Sequence, residues 1–191
     1  MARTTMAALI AEMRQLCMAE IDSYKVGMTY YWSDNQIEDV LDRHQLFYNH
    51  VLIVPELQYS STGTAVYYRY VTGVTKWEDN TGGTVTYLQD ASGGTVTGHT
   101  FDANTGVFTF TANTTGLSYY VTGYAYDLNK AAAEIWRIKA AHASIAYDIN
   151  TDNHGLKRSQ LVTQALQMAQ MYDGMAGIGV TTIWRSDVNP A

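Results

Sequence analysis

Apolar positions near the N-terminus recur at helical spacing. Met6, Leu9, Ile10, Met13, Leu16 and Cys17 lie three and four residues apart, which predicts a first helix from about Thr4 to Ile21. From Tyr24 to Trp32 that period is lost, and the segment reads as irregular and aromatic. A second helix is expected to begin at Ser33, whose hydroxyl can cap it while Gln36 reaches back in a capping box. Asp34 adds negative charge at the positive end of the helix dipole. Ile37, Val40, Leu41, His44 and Phe47 or Tyr48 would form its buried face, and Pro55 closes the segment.

Beyond Pro55 the pattern changes period and composition together. Residues 55–125 hold 10 of the 15 glycines, many threonines and no methionine. Turn signals recur at Asn80–Gly83, Asp90–Gly94, Asp102–Gly106 and Asn113–Gly116, about ten residues apart, which indicates antiparallel hairpins. Strands are predicted at Ala65–Val71, Thr84–Leu88, Thr95–Phe101, Val107–Thr111 and Ser118–Tyr124. Phe108 and Phe110 alternate with Val107, Thr109 and Thr111, so one face of that strand is packed.

Helical spacing then returns. Asp127 caps a long third helix running to about Asp148, with Ala131, Ile135, Ile138, His142, Ile145 and Ile149 as a bundle-type seam. A second stripe of Trp136, Ala140, Ala143 and Tyr147 implies contact on more than one side. A polar loop, Asn150–Lys157, leads to a fourth helix from Ser159 to about Tyr172, with Val162, Ala165, Met168, Ala169 and Tyr172 inward and Gly174 ending it. The tail, Gly177–Ala191, reads as extended. The expected fold is α+β, mainly α. It is an antiparallel four-helix bundle (residues 1–54 and 126–176) with an antiparallel β-module (55–125) inserted between helices 2 and 3, and a C-terminal tail (177–191).

Charge narrows the function classes. Only 16% of residues are charged, tyrosine is abundant at 15, and the net charge is −6. Protein interfaces are depleted in charge and enriched in aromatics, so this composition favours contact with other proteins. The acidic balance argues against direct nucleic-acid wrapping, which needs clustered Lys and Arg. Cys17 is the single cysteine and lies on the first apolar stripe, where a buried, inert thiol is expected. With no signal pattern and no long apolar run, a soluble protein of a reducing cytoplasm is expected, with no membrane contact.

No complete catalytic or metal set emerges. Asp148, Asn150 and Asp152 match the first half of a calcium loop, but Asn153 stands where Gly is needed and Ser159 where Glu is needed. A polar turn is therefore the expectation. His44, His50, His99, His142 and His154 show no metal spacing, and Glu38, Asp39 and Asp42 read as a solvated helix face. No nucleophile elbow, P-loop or dinucleotide fingerprint is present, so neither a cofactor nor an enzymatic role is expected. Asn113-Thr114-Thr115 fits a glycosylation acceptor only by chance.

Two stretches resemble the head–tail adaptor (connector) proteins of tailed bacteriophages. One is Trp32-Ser33-Asp34-Asn35-Gln36-Ile37-Glu38-Asp39-Val40-Leu41-Asp42-Arg43-His44. The more specific runs from Val121-Thr122-Gly123-Tyr124-Ala125-Tyr126-Asp127 through Ile135-Trp136, Lys139-Ala140-Ala141 and Tyr147-Asp148 to Arg158-Ser159-Gln160 and Ala165-Leu166-Gln167-Met168-Ala169. The β segment with a turn and Gly-x-x-x-Phe, here Asp102 to Phe110, is also similar to that family. The resemblance implies a ring of twelve identical subunits docked on the portal, extending the DNA channel and meeting the next neck or tail protein (a stopper, tail terminator or tail hub). It implies a virion protein of the neck, assembled in the host cytoplasm, touching DNA only non-specifically in transit. It also implies that the tail reaches the portal, through Ile183, Trp184, Arg185 and Asp187, and that Trp136, Ile138, His142 and Tyr147 serve subunit or core packing. The alternative is a small glycan- or peptide-binding module whose aromatic platform is Tyr59, Tyr67, Tyr68, Tyr70, Trp77 and Tyr87.

Overall fold

The computed structural model describes residues 2–20, 25–26, 29–30, 32–79, 85–144, 149–151, 154–156 and 158–177. Two compact units emerge, one from Met1–Gln45 with Asp127–Gly177, the other built around Leu46–Tyr126.

In the helical unit, a 3-10 turn at Thr4–Met6 leads into α1 (Ala7–Cys17), which buries Leu9, Ile10, Met13 and Cys17. The helix stops short of Ile21 because Met18 turns left-handed (φ 49°) and its N–H closes onto the Arg14 carbonyl. A two-stranded hairpin, β1 (Lys25–Val26) and β2 (Thr29–Tyr30), occupies the segment expected to be irregular. α2 (Asp34–Arg43) begins at the expected capping box, where the Ser33 N–H donates to Gln36 Oε1 at 3.0 Å. It buries Ile37, Val40 and Leu41 and ends before His44.

α3 spans Leu128–Ser144, and Asp127 caps it by accepting the Lys130 N–H at 3.0 Å on Oδ1. The polar loop expected after α3 contains a second hairpin, β9 (Ile149–Thr151) and β10 (His154–Leu156). α4 (Arg158–Met175) continues through Gly174 and packs on α3. It buries Ala165, Ala169 and Tyr172, while Val162 and Met168 are only half-buried. The acidic face expected on α2 is not simply solvated. Arg3 engages both Glu38, at 2.6 Å, and Asp42. Arg43 and His44 converge on Glu134 of α3, His44 Nε2 lying 2.7 Å from Oε2.

The second unit is a six-stranded antiparallel half-barrel sheet: β3 (Gln45–Tyr59), β4 (Ala65–Val71), β5 (Tyr87–Asp90), β6 (His99–Asp102), β7 (Val107–Phe110) and β8 (Tyr119–Tyr126), in spatial order β5-β8-β3-β4-β7-β6. Its own core gathers Ile53, Tyr70, Val74, Trp77, Leu88, Phe108, Phe110, Tyr119, Val121 and Ala125. This overturns the expected mainly α, four-helix bundle with an inserted β-module. Strand makes up 30% and helix 39%, so the sheet is a body with its own core.

The largest departure from the expected fold is β3, which begins ten residues before Pro55 and absorbs Phe47 and Tyr48, expected on helix 2. The signal was hidden by two irregularities. Tyr48 and Val51 both pack on the core although an odd step separates them, and His50 between them takes φ 51°. A second register shift falls between Glu56 and Gln58. Each extra residue moves the side chains to the opposite face, so no period of two survives along the strand. Pro55 sits opposite Tyr70 within the pairing instead of ending it.

Candidate functional site

β8 sorts its side chains by alternation. Tyr119, Val121 and Ala125 enter the core, so Tyr120, Thr122 and Tyr124 lie on the other face of the sheet. There Tyr87 of β5 stands opposite Thr122, and Gln89 opposite Tyr120. β3 contributes Phe47, with its ring 5.0 Å from that of Tyr124, and His50, stacked on Tyr120 at 4.1 Å and 4°.

A polar network fixes His50 in its unusual conformation. Its backbone N–H donates to Thr122 Oγ1 at 2.9 Å, and that hydroxyl donates to Gln89 Oε1 at 3.1 Å. His50 Nδ1 lies 3.3 Å from the same oxygen, while Gln89 Nε2 donates to the Gly93 carbonyl at 3.2 Å. Because that amide donates to Gly93, its oxygen faces the histidine, and the Nδ1–H tautomer satisfies the contact. The surface is uncharged and aromatic, with amide and hydroxyl groups set between rings. The sequence reading missed it because Phe47 was assigned to the end of a helix and His50 was weighed only as a metal ligand.

In the helical unit, the residues expected to pack α3 separate. Trp136, Ile138 and His142 are half-buried, and Tyr147 lies outside the described residues. Trp136 supports Lys139, whose Nζ sits 4.9 Å from its ring centre and 5.7 Å from that of Trp32. The ammonium donates to the carbonyls of Cys17 and of Met18, the latter at 2.9 Å, so a cation completes the negative end of α1. Burial pulls the Lys139 pKa below its ordinary value. Burial pushes the Cys17 thiol up to about 12, with Lys139 opposing. Such a thiol carries no thiolate at neutral pH and is chemically quiet. The sequence named Trp136 and Cys17 but gave no sign that Lys139 joins them.

α4 carries a second feature. Beside its buried line of Ala165, Ala169 and Tyr172 runs a stripe of Leu161, Met168, Met171 and Met175, spaced by seven and three or four residues. Leu161, Met171 and Met175 are 53%, 45% and 51% exposed.

The expected aromatic platform does not form as one surface. Tyr70 and Trp77 are fully buried in the sheet core, Tyr70 donating to the Leu117 carbonyl at 3.0 Å and Trp77 Nε1 to the Val74 carbonyl at 2.8 Å. Tyr59 is exposed, and Tyr67, Tyr68 and Tyr87 are half-buried. The tail residues Ile183, Trp184, Arg185 and Asp187 lie outside the described residues, as do the side chains of Asp148, Asn150 and Asp152. Among the described residues no group of three or more His, Cys, Asp or Glu is placed to hold a metal ion, and no helix is long and apolar enough to cross a membrane.

The two units thus define an α+β protein, one unit helical and the other built on a six-stranded antiparallel sheet. Comparison with protein-family models, with curated proteins and with solved structures finds no match for the chain.

Proposed function

We propose that the chain is a structural virion protein, a subunit of a head–tail connector ring docked on the portal of a tailed bacteriophage. The observation that carries this reading is the apolar stripe Leu161–Met168–Met171–Met175 along α4. A lone subunit leaves Leu161, Met171 and Met175 largely in water, whereas in a closed ring each copy covers the stripe of the next. The low charge and the uncharged aromatic sheet face give further contact area suited to neighbouring proteins. A net charge of −6 suits a channel wall that lets DNA slide without adhering. The sequence stretches similar to connector proteins supply the assembly context: twelve copies, the portal on one side, and a neck or tail protein on the other.

Light scattering and negative-stain electron microscopy of the protein, alone and mixed with portal, test this directly. A discrete ring on portals is expected, and Met168→Glu with Met171→Glu should abolish it while the helical circular dichroism persists. A chain that stays monomeric at every concentration and ignores portals refutes the proposal. A second reading, saccharide or peptide recognition, is favoured by the His50–Tyr120 stack with its adjoining Gln89 amide. It predicts saturable ligand binding by a monomer, lost in Tyr120→Ala.

A further inference from the structure

His50 stands in β3 at φ 51°, a left-handed conformation that is costly for any residue with a Cβ. Side chains from two other strands hold it there. Thr122 of β8 accepts its backbone N–H at 2.9 Å, and Gln89 of β5 places Oε1 3.3 Å from its Nδ1. The imidazole lies on the Tyr120 ring, 4.1 Å away and 4° from parallel. With Nδ1–H turned to Gln89, Nε2 is left as a hydrogen-bond acceptor on an exposed residue. A contact that only excludes water needs neither the strain nor an oriented tautomer.

Three features restrict what this face can hold. Phe47, His50, Gln89, Tyr120, Thr122 and Tyr124 line it and include no lysine or arginine, so a phosphate or carboxylate finds no counter-charge. β8 is flanked by β3 on one side and by β5 with the Lys76–Glu78 segment on the other, so its main chain is already paired. A peptide therefore gains no strand addition there, and recognition falls to ring faces, phenol hydroxyls and the Nε2 acceptor. Tyr120 and Tyr124 are also four residues apart on one strand, about 13 Å. Each has a ring from β3 beside it, His50 on Tyr120 and Phe47 at 5.0 Å from Tyr124. Two aromatic pairs at that spacing suit an extended chain of rings better than one small molecule.

We infer that this face binds a neutral oligosaccharide laid along β8, with its apolar C–H faces against the two ring pairs and a hydroxyl donated to His50 Nε2. A sugar ring joins an apolar face to a rim of hydroxyls, the combination that these aromatic rings and uncharged polar groups complement. The assignment rests on recognition by the aromatic face and narrows its ligand from saccharide or peptide to saccharide alone. It is independent of the connector reading, because every contributing residue belongs to the sheet unit of one chain.

Calorimetric titration of the full chain tests it. The probes are neutral homo-oligosaccharides of glucose, N-acetylglucosamine, mannose and galactose, each as disaccharide and hexasaccharide, with a pool of uncharged decapeptides as comparison. At least one hexasaccharide should bind ten-fold or more tightly than its disaccharide. Phe47→Ala, at a side chain 57% exposed, should erase that gain while leaving disaccharide binding intact. His50→Asn tolerates the left-handed backbone but removes the ring and its Nε2, and should weaken both lengths at least ten-fold. Unchanged circular dichroism certifies that each variant folds. Peptide binding without saccharide binding overturns the inference but leaves recognition by this face standing, and binding of neither removes both. Saccharide binding that survives both substitutions overturns the placement on β8.

Discussion

Gly106 closes the Asp102–Gly106 turn at φ 70°, with its N–H donating to the Asp102 carbonyl at 2.8 Å and its carbonyl accepting from Thr72. A Cβ built there would lie 2.0 Å from the Val74 carbonyl oxygen and 2.3 Å from Thr72 Oγ1. Neither atom is free to move. The Val74 carbonyl accepts both Trp77 Nε1–H, at 2.8 Å, and the Thr72 hydroxyl, at 2.7 Å. Gly106→Ala therefore adds a left-handed penalty of about 1–2 kcal/mol. It also loses one or two hydrogen bonds at about 1 kcal/mol each, and forces displacement around a buried tryptophan at about 1–3 kcal/mol. The expected total is about 3–7 kcal/mol, a large share of a typical 5–15 kcal/mol stability. Gly98 is the internal control: its φ is 81°, but nothing lies within 4 Å of an added Cβ. Gly98→Ala should cost only the conformational term, about 1–2 kcal/mol. Urea unfolding followed by tryptophan fluorescence measures both. Equal losses for the two variants would refute the steric argument and show that Val74 and Thr72 can give way.

Asp127→Ala removes a helix cap and the Gly177 anchor from a nearly buried carboxylate; thermal or urea melts should show a loss of about 1–3 kcal/mol, with Asp127→Asn recovering part of it. His99 packs its ring against Phe108 and Phe110, its Nδ1 is buried without a partner among the described residues, and burial holds its pKa below the ordinary 6.5. The unfolded chain thus binds that proton more readily, so stability present above pH 6.5 should decline as pH falls through 6.5 toward the depressed folded value, and His99→Phe should flatten that part of the curve. His142, whose pKa burial also lowers, should leave a residual slope in the variant. Cys17, with its pKa near 12, should resist thiol reagents at pH 8 in the folded protein and react only on unfolding; rapid native labelling would contradict its burial.

The sequence by itself determined every element whose signal is local. The Ser33–Gln36 box, the Asp127 cap and the Ala65–Val71 strand need only neighbouring residues to form, and each stands where its pattern placed it. The acidic turns were legible for the same reason. Asp90 accepts the N–H groups of Ser92 and Gly94, and Asp102 those of Asn104 and Thr105.

What only the tertiary structure decided depends on residues far apart in the chain. β3 exists because β8 and β4 flank it in the sheet, and its two irregularities, at His50 and between Glu56 and Gln58, erase the alternation that would have announced it. Tyr70 and Trp77 read as a surface platform until the half-barrel closed over them. His50, Gln89 and Thr122 meet across three strands, and Lys139 finds Cys17 and Met18 from another helix, pairings that no local spacing encodes. Hydrophobic period sets which face of an element is buried. Which neighbour buries it is set by chain closure over long separations, and the aromatic sheet face around His50 and Tyr120 arises at that level.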